Sequence, residues 1–82
     1  MAAPELFHRI SEPDSAAARK RVVALGLEGA IDFRNVAFDA HRDALAAHGG
    51  SATPALWDGA RLHVGLAAVR AALEALRLND SA

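Results

Sequence analysis

Apolar and polar positions alternate over short stretches in some parts of the chain and recur at three- and four-residue spacing in others, so both strands and helices are expected. Residues 5–10, with Leu6, Phe7 and Ile10, predict a strand. Ser11-Glu12-Pro13-Asp14 follows as a helix start, with Ser11 as N-cap, Asp14 three residues later as in a capping box, and Pro13 tolerated in the first turn. Over residues 15–25 the positions Ala18, Val22 and Leu25 mark one helical face, and Gly26 or Gly29 can end the helix in a left-handed conformation. Residues 31–38 predict a second strand. Residues 40–48 predict a short helix that stops at Gly49-Gly50.

Asp58-Gly59 lies between two short apolar runs, residues 55–57 and 61–64, and signals a hairpin. Leu66, Val69, Leu73 and Leu76 form the stripe of a terminal amphipathic helix, with fraying expected over residues 79–82. The order is strand, helix, strand, helix, hairpin, helix. A βαβ unit followed by an antiparallel ββα unit predicts an α/β sandwich with a four-stranded mixed sheet and helices on both faces.

Composition narrows the function. At 82 residues the chain makes one small domain, residues 1–82. Nine Lys+Arg against ten Asp+Glu give a net charge of −1, which argues against a nucleic-acid binder working through a basic face. Zero cysteines exclude disulfides, thiolate metal sites and thiol redox chemistry by this chain. No run nears the roughly 18 apolar residues of a membrane span, and residues 1–7 lack a signal-peptide pattern, so a cytoplasmic domain is expected. His8, His41, His48 and His63 fall on elements that predict no metal site. Arg19-Lys20-Arg21 reads as a solvated helix face, with recruitment of an acidic partner or phosphate as the alternative. Trp57 reads as sheet packing, otherwise as a wall of a cleft.

Together the element order, Glu5-Leu6-Phe7, the stretch from Phe33 to Asp39, Thr53-Pro54-Ala55-Leu56-Trp57-Asp58-Gly59 and the closing helix resemble a glutaredoxin, a member of the thioredoxin fold. The resemblance covers residues 5–77 and extends to the N-terminal domain of glutathione transferases. It implies a cis peptide bond before Pro54 that exposes the main chain of Thr53 to an extended thiol peptide. Local sequence alone fits a trans proline equally well, since cis X–Pro costs only about 0.5–1 kcal/mol.

The family's Cys-Pro-x-Cys or Cys-Pro-x-Ser motif is replaced here by Glu12-Pro13-Asp14-Ser15. Glu12 and Asp14 suit the positive end of a helix, and capping is the simpler role for both; Glu12 as a general base is the alternative. By resemblance, Arg9 stands where glutaredoxins carry a lysine for the glycine carboxylate of glutathione, and Thr53 and Pro54 would meet its cysteinyl part. The γ-glutamyl contacts are missing: Gly65 and Leu66 occupy that turn, leaving only backbone N–H groups for a carboxylate. The short connection over residues 41–50 implies a reduced second helix. The expected function is a redox-inactive binding module for a peptide, a protein or, weakly, glutathione, with no other cofactor. The alternative is a small glutathione-dependent transferase-like enzyme using Ser11 or Ser15, or Glu12 as base, although the resemblance implies that a transferase takes its electrophile pocket from a second, all-helical domain.

Overall fold

Side chains on successive residues of a strand point to opposite faces of a sheet, and this chain gives each face a core of its own. In the computed structural model, residues 3–80 are described. The elements are β1 (Glu5–His8), α1 (Pro13–Ala24), β2 (Asp32–Asn35), α2 (Asp39–Ala47), β3 (Ala55–Trp57), β4 (Leu62–Val64) and α3 (Leu66–Asp80). The sheet order is β2-β1-β3-β4. β1 pairs parallel with β2, while the β1–β3 and β3–β4 pairs are antiparallel, so the sheet is mixed.

Leu6 and Leu56 face one side, where Ala18 and Val22 of α1 and Val69, Ala72 and Leu73 of α3 close over them. Phe7 and Ala55 face the other, packed with Val36 and with Leu45 of α2. Each fully buried Leu or Phe contributes about 1.5–3 kcal/mol relative to exposure. The nine residues of α2 suffice to cover that second face.

Several local expectations shift. The N-cap of α1 is Glu12 rather than Ser11, and Pro13 opens the helix, so the predicted capping box does not form. Glu12 makes no side-chain capping bond; its carboxylate turns elsewhere, as described below. At the other end Gly26 adopts φ +70, and the amides of Gly26 and Leu27 donate to the carbonyls of Val23 and Val22 at 3.0 and 2.9 Å. That paired closure leaves Leu27 buried against the first core. The strand predicted over residues 31–38 keeps only four residues, because Asn35 bends the chain: its side-chain Oδ1 accepts from the amide of Ala37 at 3.0 Å. α3 remains helical to Asp80, past the start of the expected fraying; residues 81 and 82 lie outside the described ones. No described helix is long and apolar enough to cross a membrane.

Candidate functional site

The carboxyl end of β1, the first turn of α1 and the segment entering β3 converge. The Thr53–Pro54 peptide bond is cis and Pro54 is fully buried. Its carbonyl accepts from the amide of Gly65 at 2.9 Å, tying the start of α3 to this turn. Gly65 can sit there because its φ of +93 is a conformation side chains disfavour. Its N–H is therefore committed within the fold rather than offered to a ligand.

Thr53 joins the two remaining parts. Its hydroxyl donates to Glu12 Oε1 at 2.9 Å and accepts from Arg9 Nη1 at 2.7 Å. Ser15, fully buried, donates from its hydroxyl to the same Glu12 oxygen at 2.5 Å and accepts the amide of Arg9 at 3.1 Å. Arg9, Glu12, Ser15 and Thr53 thus form one polar cluster. Ser11 is exposed and takes no part in this cluster. A serine that activates a thiol must aim its proton at the sulfur. The proton of Ser15 is directed at Glu12 in this arrangement.

The main chain of Thr53 is the unfilled part. Among the described residues, neither its amide nor its carbonyl takes part in a backbone hydrogen bond. A groove of about 330 Å³ opens at the carboxyl ends of the parallel strands β1 and β2, where α/β sheets commonly place ligands, and Arg9, bonded to the Thr53 hydroxyl, is the residue it shares with the cluster. Arg9, Ser11 and Asn35 line it, with Ile10 and Val36 as apolar wall and Arg42 of α2 as a second cation, itself paired with Asp39.

Arg19 was expected among solvated cations, yet it is half-buried and supports this cluster from below. Its Nη1 donates to the carbonyl of Arg9 and to Nδ1 of His8, both at 3.1 Å. Because an arginine only donates, His8 accepts there, as a neutral ring. Burial, then Arg19, then His41 lower the pKa of His8 from its ordinary value. The signal for Arg19 was available in its spacing: Ser15, Arg19 and Val22 share one helical face. Arg42 had no comparable signal beyond its place in the first turn of α2.

Trp57 is not a cleft wall. It sits at the opposite end of β3, stacked on His48 with ring centroids 3.9 Å apart, while His48 Nε2 lies 3.0 Å from Glu5 Oε2. His8 and His63 lie on β1 and β4, which are not neighbours, and no group of three His, Cys, Asp or Glu among the described residues is placed to hold a metal. Comparison of the chain with protein-family models, curated proteins and solved structures returned no significant match.

Proposed function

We propose that the chain is a glutaredoxin-like, thioredoxin-fold binding module that holds an extended main chain ending in a carboxylate along Thr53 and Pro54. The observation that carries this reading is the unpaired main chain of Thr53, next to a cis proline and flanked by Arg9. A bound peptide would exchange backbone hydrogen bonds with Thr53, as strands do when added to a sheet edge. Its terminal carboxylate would meet Arg9 and Arg42 in the adjacent groove. Glu12 stands where the family's nucleophile would be. With no cysteine in the chain, the module binds without exchanging disulfides. The serine-dependent transferase reading finds no support in Ser15, whose hydroxyl proton is donated to Glu12 within the cluster.

Glutathione, an extended tripeptide with a free glycine carboxylate, is a suitable small probe. Glu12 opposes anions nearby, so binding in the millimolar range is expected. Amide resonances of Arg9, Thr53 and Ala55 in isotope-labelled protein should shift saturably. Esterifying the glycine carboxylate should weaken binding about tenfold, the worth of a charge-assisted hydrogen bond. Absence of saturable shifts, or an ester that binds as well as the acid, would overturn the proposal.

A further inference from the structure

α1 and α3 pack side by side over the first core, and their sequences carry a charge balance unlike the rest of the chain. The two helices hold five cations (Arg19, Lys20, Arg21, Arg70 and Arg77) against three acids, Asp14, Glu74 and Asp80. The rest of the sequence carries four cations and seven acids. A chain that is slightly acidic as a whole therefore concentrates positive charge on one helix pair.

Within that pair, the seam opens into a groove of about 280 Å³ lined by Ala17, Lys20, Arg21 and Ala24 of α1 and by Arg70 of α3. The α1 positions follow the i, i+3, i+4, i+7 spacing of one helical face. Arg21 is neutralised by an ion pair to Glu74 across the seam. Lys20 and Arg70 are exposed, and neither has a hydrogen bond or ion pair among the described residues. The alanines on α1 are too short to cover the space between them. Two uncompensated like charges thus share one concavity, an arrangement that an anion of charge −2 relieves.

We propose that this groove binds a phosphate dianion, either free or as a phosphomonoester. A phosphomonoester carries about −1.5 to −2 near neutral pH, matching the two open cations, whereas a single carboxylate leaves one unmet. Arg70 supplies a planar fork for two phosphate oxygens, and Lys20 supplies a compact point charge. The site is built from different residues than the Thr53 edge, so either proposal can fail without the other.

The test is a titration of the labelled full chain with inorganic phosphate and, separately, with O-phosphoserine, both at constant ionic strength. Saturable shifts at Lys20, Arg21 and Arg70 are expected. Lys20→Gln and Arg70→Gln should each weaken binding about tenfold. Arg61→Gln, which removes an exposed cation elsewhere, should leave it unchanged. Binding of O-phosphoserine alone would support the proposal with a phosphorylated side chain as the source, and binding of inorganic phosphate alone would support it with the free ion. Non-saturating shifts with both probes, or equal weakening by Arg61→Gln, would overturn it.

Discussion

Ser15 is fully buried beside apolar Ala18 and Val22 on the inner face of α1, and a hydroxyl there is tolerated only because it is satisfied twice. Removing it leaves the Arg9 amide without an acceptor and Glu12 with one donor fewer. Ser15→Ala should therefore destabilise the fold by about 1–3 kcal/mol, read as a lower urea midpoint with an unchanged slope. A midpoint within error of the wild type would mean that the cluster does not brace the start of α1. The sequence placed Ser15, Glu12, Arg9 and Thr53 in one neighbourhood only through resemblance. Helical periodicity can show which face a residue occupies, but not which oxygen its proton seeks. Arg19 illustrates the limit: its spacing puts it on the face of Ser15 and Val22, but nothing local says that its guanidinium reaches His8 and the Arg9 carbonyl.

The β3–β4 hairpin was the most legible element, because Asp58-Gly59 supplies turn chemistry that needs no tertiary context. Asp58 Oδ1 accepts from the amides of Ala60 and Arg61, each at 2.8 Å, and Oδ2 meets His63 Nε2 at 2.7 Å. The bond to His63, followed by the backbone bond from Arg61, lowers the pKa of Asp58 to about 2 from 3.8. The stability linked to this depressed pKa is fully present above about pH 4 and is lost as pH falls through about 2. Asp58→Asn should unfold more readily at neutral pH, and its urea midpoint should converge on that of the wild type as pH falls through this window. Parallel midpoint curves from neutral pH to pH 2 would contradict that account. Element boundaries were less legible. Ser11 has the residue type of an N-cap, but the turn out of β1 brings Glu12 to that position instead.

For the whole molecule, the order of elements and the mixed sheet were readable because apolar periodicity switches between two and three to four residues along the chain. Which layer each helix joins follows from topology: Leu6 and Phe7, adjacent in sequence, serve opposite cores. The groove beside Arg9 and the α1–α3 seam were not readable, since each is made by residues from separate elements whose approach no local pattern encodes. The central claim is that residue 12, at the head of α1 and facing Thr53, occupies the reactive position of a thiol-handling cleft. Its most direct test is the thiol pKa of Glu12→Cys, followed by thiolate absorbance in the folded protein. The helix start and nearby Arg9 favour the thiolate, so a pKa below about 7.5 is predicted; a folded variant titrating near the free value of about 8.5, or above it, would contradict the account.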